Sequence, residues 1–198
     1  VVSTFNQFIS DARGYLKLSP DGTKLANANM SGGLFLYDFD VTTGIVSNEQ
    51  PLTISTTSNT PYGVEFSPNN RFLYIHSSND YFNQQNPTEN NTPSNHFSTL
   101  TQFDVTAANV QASEITLDER SLYRGGLQLA PDGKIYRALS ATYATGLPNL
   151  GVINNPNELG TASNYTHNAV NLSPNTSSQG LPPFLQSLFN QQIDIIQN

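Results

Sequence analysis

A chain of 198 residues in which only 12% of side chains are charged and 36% are hydrophobic, with a mean hydropathy of -0.38, draws its solubility largely from uncharged Asn, Ser, Thr and Gln. Its 15 acidic and 8 basic residues give a net charge of -7 and a pI near 4.7, which argues against an electrostatic grip on phosphate backbones and so against a nucleic-acid partner. The absence of Cys excludes disulfides, thiolate metal sites and cysteine nucleophiles, and no stretch supplies the roughly 18 consecutive apolar residues of a membrane-spanning helix.

The opening "VVSTFNQF" has neither a Met nor a basic segment leading into an apolar one, so the sequence is expected to be an interior or processed piece of something longer. The first clear element follows at 14–26, "GYLKLSPDGTKLA". Tyr15, Leu16 and Leu18 precede a Pro20-Asp21-Gly22 turn, and Leu25 and Ala26 follow it. Pro presets φ near -65° at the second turn position, Asp can bond the backbone two residues on, and Gly takes the left-handed conformation that returns the chain. The stretch is predicted to be a β-hairpin.

The same pattern returns at 63–75, "GVEFSPNNRFLYI", and at 126–138, "GLQLAPDGKIYRA". Asn70 stands where the other copies have Gly22 and Gly133, a change the left-handed region tolerates. After each hairpin comes an apolar, β-branched stretch with an exit turn: "GGLFLYDFDVTTG" at 32–44, "STLTQFDVTAA" at 98–108 and "PNLGVINNPNELG" at 148–160. A fourth, weaker strand is predicted at 49–56, 111–117 and 168–173. Four short antiparallel strands per unit make a propeller blade.

The turn prolines Pro20, Pro68 and Pro131 lie 48 and 63 residues apart. The longer interval holds "NDYFNQQNPTENNTPSNHF" at 79–97, which lacks apolar alternation and is predicted to be a loop inserted in the second unit; without it the spacing returns to the propeller period of about 40–50 residues. At the C-terminal end Leu185, Leu188 and Phe189 have helical spacing, but the prolines before them favour a docked segment running into a linker at 190–198.

The ordered set "GYLKLSPDGTKLA", "LYDFDVTTGIVSN", "YGVEFSPNNRFLYI", "GGLQLAPDGKIYRA", "LGVINNPNELG" and "LPPFLQSLF" resembles the β-propeller region of large secreted, gliding-motility-associated surface proteins of Bacteroidota, many of which carry a sorting domain for type IX secretion. The resemblance covers nearly the whole chain and implies an extracellular or outer-surface location and a role in adhesion or protein binding, without catalytic residues to carry over. It departs from the family at Ser163, where members often have a Cys, and it fits only the later blades. The expected fold is therefore all-β: residues 1–189 as a partial β-propeller of about three to four four-stranded blades from a seven-bladed ring. An open arc leaves unpaired sheet faces, so the remaining blades are expected from another chain or fragment.

Few constellations suggest chemistry. Asp38, Asp40 and Thr42 before Gly44 have alternating oxygens, but a calcium loop wants a third acid, a distal Glu and an earlier Gly, and a strand running into a turn accounts for them. Turn chemistry likewise accounts for Asp21, Asn69 and Asp132. His76, His96 and His167 are scattered, and no nucleophile elbow occurs. No catalytic, cofactor or metal residue is assigned. Gly125 and Gly126, like Gly32 and Gly33, are expected to relieve crowding where strands begin near the propeller axis. The candidate ligand contacts are Tyr81, Phe82, His96 and Phe97 of the insert, whose aromatic rings among Asn and Gln amides suit a protein or glycan partner. The expected function is a non-enzymatic interaction module; the alternative is a polysaccharide-acting hydrolase or lyase with its site at the propeller's central mouth, since a carboxylate pair is a spatial relation.

Overall fold

The computed structural model describes residues 3–5 and 9–182. The helically spaced Leu185, Leu188 and Phe189 and the tail 190–198 lie outside the described residues. Among the described residues twelve strands form three four-stranded antiparallel sheets, each in sequence order. The first holds β1 (Gly14–Leu18), β2 (Lys24–Asn29), β3 (Gly33–Asp40) and β4 (Ile45–Leu52). The second holds β5 (Thr60–Phe66), β6 (Phe72–Ser78), β7 (Ser98–Asp104) and β8 (Ile115–Arg120). The third holds β9 (Leu127–Leu129), β10 (Ile135–Arg137), β11 (Asn149–Ile153) and β12 (Tyr165–Asn171).

The sheets stand side by side with their first strands innermost: β1 and β2 lie against β5, and β5 lies against β9. Radial order of up-and-down four-stranded sheets is the propeller arrangement, so the fold is all-β, three blades of a β-propeller.

The fourth strands depart from the predicted ranges for local reasons. β4 begins at Ile45 rather than 49, because the Gly44 amide bonds the Asp40 carbonyl at 2.7 Å and the chain reverses at once. Gln111–Ser113 is a 3-10 turn, so β8 starts only at Ile115. β12 runs from Tyr165, directly after the left-handed Asn164 with φ of 55°, to Asn171.

All three Pro-led reversals share one construction. The amides of Gly22, Asn70 and Gly133 bond the carbonyls of Ser19, Ser67 and Ala130, and the three donors have φ of 72°, 64° and 78°. The side-chain oxygens of Asp21, Asn69 and Asp132 accept from the amides two residues on, at 3.0, 3.2 and 3.1 Å. These carboxylates and amides are occupied by turn geometry, as their spacing predicts. Asp40 does the same for the amides of Thr42 and Thr43.

The core sits between blades. Ala26, Ala28, Leu34 and Leu36 of the first meet Val64, Phe66, Leu73 and Ile75 of the second. On the opposite face of the second blade, Phe72, Tyr74 and Leu100 meet Leu127, Leu129, Ile135 and Ile153 of the third. Alternate residues of β6 thus serve two cores, and every residue of β6 and β7 is buried. β6 accordingly opens with the apolar run Phe72–Ile75, whereas β7 buries mainly polar side chains. At the axis backbones nearly touch: a Cβ on Gly63 would lie 2.3 Å from the Gly125 carbonyl oxygen and one on Gly125 2.2 Å from that of Ala138.

A buried ion network fastens the third blade to the second. Arg137, fully buried on β10, bonds Asp118 at 2.7 Å, His76 Nδ1 at 3.0 Å, Ser98 at 2.9 Å and the Tyr165 hydroxyl at 3.1 Å. His76 Nε2 in turn donates to the Tyr123 carbonyl at 3.0 Å, which fixes its neutral tautomer.

Candidate functional site

Antiparallel strands send their connections alternately to two faces of the arc. The Pro-led turns occupy one face. The β2–β3, β6–β7 and β10–β11 connections, with the segments leading into β1, β5 and β9, occupy the other, where a cleft of about 490 Å³ opens.

Each wall of the cleft comes from a different connection. Arg13 precedes β1; Asp80, Tyr81, Phe82, Asn90, Asn91 and His96 belong to the β6–β7 insert. Tyr123 and Arg124 precede β9, and Tyr143 lies between β10 and β11. Convergence from one end of three blades is what a propeller's geometry makes available, and it is invisible along the chain.

The insert is built by polar side chains in place of a strand ladder. Its base is closed where the Asn79 amide bonds the Phe97 carbonyl at 3.0 Å and the Phe97 amide bonds Asn79 Oδ1 at 3.1 Å. Two 3-10 turns, Pro87–Asn91 and Pro93–Asn95, fill its middle. The Glu89 carboxylate accepts from the Tyr81 hydroxyl at 2.6 Å and from the amides of Asn83 and Asn86 at 2.8 Å each. Those bonds hold the Glu89 carboxyl below its usual range, with the Tyr81 hydroxyl the first cause. Asn amides can satisfy backbone donors and acceptors that no neighbouring strand reaches, which accounts for the composition of 79–97.

Of the four residues singled out from the sequence, the structure brings Tyr81, Phe82 and His96 to the cleft. Phe97 lies at the foot of β7, half exposed and outside the cleft lining. His96 is fully buried; its Nε2 donates to the Asn90 carbonyl at 2.8 Å, and its ring stands edge-on between Tyr81 and Tyr123 with centroid distances of 5.9 and 5.0 Å. Phe82 and Tyr143 are exposed by 74% and 68%, leaving aromatic faces at the rim.

Sequence reasoning missed the charged floor. The Leu122–Gly126 segment is pinned by the Tyr123 amide to the Ser140 carbonyl at 2.8 Å and the Gly126 amide to the Gln179 carbonyl at 2.7 Å. This holds Arg124, only 2% exposed, with its guanidinium 4.5 Å from the Tyr123 ring centroid and 5.6 Å from that of Tyr62. Asp80 sits 3.6 Å from Arg124 Nη1. Burial raises the Asp80 carboxyl above its usual range, against the pull of Arg124 and Arg13. Arg13 is paired with Asp11, whose carboxyl the bonds from Arg13 lower to about 2. The available signal was "YRGG" at 123–126, a basic residue directly before an inner strand in a chain with 8 basic residues in all.

Among the described residues no group of three or more His, Asp or Glu lies together as a metal site. The arrangement can instead hold a ligand: two guanidinium groups and amides for oxygens, aromatic faces for an apolar surface.

No protein-family model matches the chain, and no curated protein sequence matches it. Solved structures similar to it include an oligogalacturonate lyase from Vibrio parahaemolyticus, 12% identical, with a TM-score of 0.49 over 76% of this chain and 38% of that one. The Swd1 β-propeller domain from Myceliophteria thermophila is 9% identical, with a TM-score of 0.44 over 84% of this chain and 43% of that one. Hydrazine synthase from Kuenenia stuttgartiensis is 21% identical, with a TM-score of 0.42 over 77% of this chain and 36% of that one. The chain spans between 36% and 43% of the length of these structures, and the likeness concerns the fold alone.

Proposed function

We propose that the chain belongs to a secreted or outer-surface β-propeller, of the gliding- and adhesion-associated kind it resembles, that serves as a non-enzymatic interaction module binding protein or glycan. The observation that carries this reading is the cleft on the loop face, where the exposed rings of Phe82 and Tyr143 stand over a preformed polar floor. Exposed aromatics beside fixed polar groups are what binding sites use for area and orientation. A glycan array and a pull-down, each repeated with F82A and Y143A, test it; loss of the captured ligand in both variants supports it, and unchanged capture sinks it.

The other blades of the ring are proposed to cover the outer face of the first blade. On β1, Lys17 turns toward β5, while Leu16 and Leu18 alternate away from it and stay 63% and 48% exposed. Apolar side chains in a row on one sheet face call for a covering layer.

A second reading, a hydrolase or lyase acting on polysaccharide at the central mouth, draws on Asp80 and His96 lining one cleft. Release of reducing ends or unsaturated products from a polysaccharide panel, abolished by D80N, would favour it over the binding module.

A further inference from the structure

Two arginines are buried to within 2% of completely, and they differ in how they are satisfied. Arg137 bonds through Nε, Nη1 and Nη2 to His76, Asp118, Ser98 and Tyr165. Arg124 has no such set. Its Nη2 donates to the Tyr123 hydroxyl and its Nη1 to the Met30 sulfur, a weak acceptor. Asp80 at 3.6 Å is an ion-pair neighbour beyond hydrogen-bond distance, and among the described residues Arg124 Nε has no hydrogen-bond partner. A buried donor left without an acceptor is costly, and a buried charge left under-coordinated more so.

A second orphan lines the same cleft. His96 donates its Nε2 hydrogen to the Asn90 carbonyl, and its buried Nδ1 has no hydrogen-bond partner among the described residues. With the proton on Nε2, Nδ1 presents a lone pair, which needs a hydroxyl or amide donor. The cleft thus asks a ligand for acceptor oxygens at Arg124 and a donor at His96. Arg13 adds a guanidinium on the same wall, its Nε and Nη2 committed to Asp11. The exposed rings of Phe82 and Tyr143 add a surface for the C–H face of a ring.

We infer that the cleft binds a uronate, a sugar ring bearing a carboxylate, as a unit of an acidic glycan. The carboxylate meets Arg124 and Arg13, a ring hydroxyl donates to His96 Nδ1, and the sugar's apolar face lies on the aromatic rim. The cleft's 490 Å³ falls within the range of about 300–1,000 Å³ usual for small-ligand sites. The inference rests on the binding-module reading of the same cleft and narrows it to one ligand class.

Calorimetric titration of this chain with oligogalacturonate and oligoglucuronate, with neutral galactose and glucose oligomers of equal length, and with a sulfated glycan tests it. The uronates are expected to bind at least about tenfold more tightly than the neutral oligomers, since a charge-assisted hydrogen bond is roughly twice as strong as a neutral one and a desolvated charge contact is lost with it. R124M is expected to lower uronate affinity by about tenfold or more, and R13M, on an exposed side chain, by about threefold, each with a smaller loss for the neutral oligomers. Should circular dichroism show that R124M does not fold, R13M and Y143A carry the test. Equal affinity for acidic and neutral oligomers, or tighter binding of the sulfated glycan than of uronates, overturns the inference. If no glycan binds but a protein is captured and lost on Y143A, the uronate assignment falls and the module reading stands; if glycans bind and no cleft variant weakens them, both fall.

Discussion

Lys17 and Glu65 hold the same place in successive repeats, three residues before the turn prolines Pro20 and Pro68, and they meet at the axis with Nζ 2.8 Å from Oε2. The third copy's residue at that place, Gln128, also receives Lys17 Nζ, at 2.7 Å. Repetition in sequence has become convergence in space. Glu65 carries more than the ion pair: its Oε2 accepts from the Leu129 amide of the next blade at 2.9 Å and its Oε1 from the Phe66 amide at 3.0 Å. E65A removes the acceptor for one partly buried cation and two amides, and is expected to cost about 3–5 kcal/mol, the range for breaking a largely buried pair. K17M takes the cation from the buried Glu65 carboxylate but leaves it both amides, and a smaller loss of about 2–3 kcal/mol is expected. Urea denaturation of the two variants checks the order; equal losses would mean that the pair alone matters and the amides do not.

His76 supplies a pH dependence. It is held neutral well below its ordinary range by burial and by the Arg137 charge. The unfolded chain takes up a proton there near pH 6.5 while the folded chain does not, so the contribution of His76 to stability is constant above that pH and falls as pH drops below it. The slope is about 1.4 kcal/mol per pH unit for each such proton. His167, lowered by burial and by Arg120, adds to the same window. Asp118 acts only further down: burial opposes its ionisation, Arg120 and Arg137 outweigh that, and stability is lost as pH falls through the range below about 4. H76Q keeps an acceptor for Arg137 Nε and is expected to reduce the slope between pH 6.5 and 5 by about one proton. Denaturant unfolding across that range measures it, and an unchanged slope contradicts the assignment.

The repeat, the turns and the order of strands were legible because each is written locally. Pro20-Asp21-Gly22 states its own geometry, and the apolar, aromatic run of β3 states that of a strand. The fourth strands were displaced by a few residues because they are outermost and polar, and their limits follow from turns such as Thr42–Gly44 and Gln111–Ser113 rather than from apolar spacing. Tyr81, Phe82 and His96 were legible as aromatics in a long insert. Arg124, Arg13 and Asp80 were not, since their significance lies in three blades bringing them to one cleft, and in Arg124 Nε having no hydrogen-bond partner among the described residues. Burial of a charge is a property of the fold and leaves no mark on its neighbours in sequence.

Asn70 does two things that Gly in its place would divide. Its backbone is left-handed with φ of 64°, and its Oδ1 accepts from the Asp21 amide of the preceding blade at 2.9 Å. The Asn69 amide is in turn received by Asn157 Oδ1 of the following blade at 3.0 Å, so the turns are linked around the arc. N70G relieves the backbone and loses the exposed hydrogen bond, two effects of about 1 kcal/mol with opposite sign, and is expected to be close to neutral. N70A loses the bond and keeps the strain, for a loss of about 1–2 kcal/mol. Thermal melts that place N70G below N70A would contradict this account.

Glu89 decides whether the insert is a wall of the cleft or a loose loop. Its carboxylate gathers Tyr81, Asn83 and Asn86, while the Asn95 side-chain amide donates to its carbonyl at 3.1 Å. None of these contacts involves the inter-blade cores, so their loss is local opening rather than global unfolding. E89A is therefore expected to leave the melting temperature within about 2 °C while hydrogen exchange and proteolytic nicking at 79–97 increase by about tenfold. E89Q keeps an acceptor oxygen for Tyr81 and is expected to fall between the two. Because Tyr81 and His96 belong to the same insert and line the cleft, ligand capture should weaken in E89A in step with the nicking. Rapid nicking with undiminished capture would show that the insert's order is not what forms the binding surface.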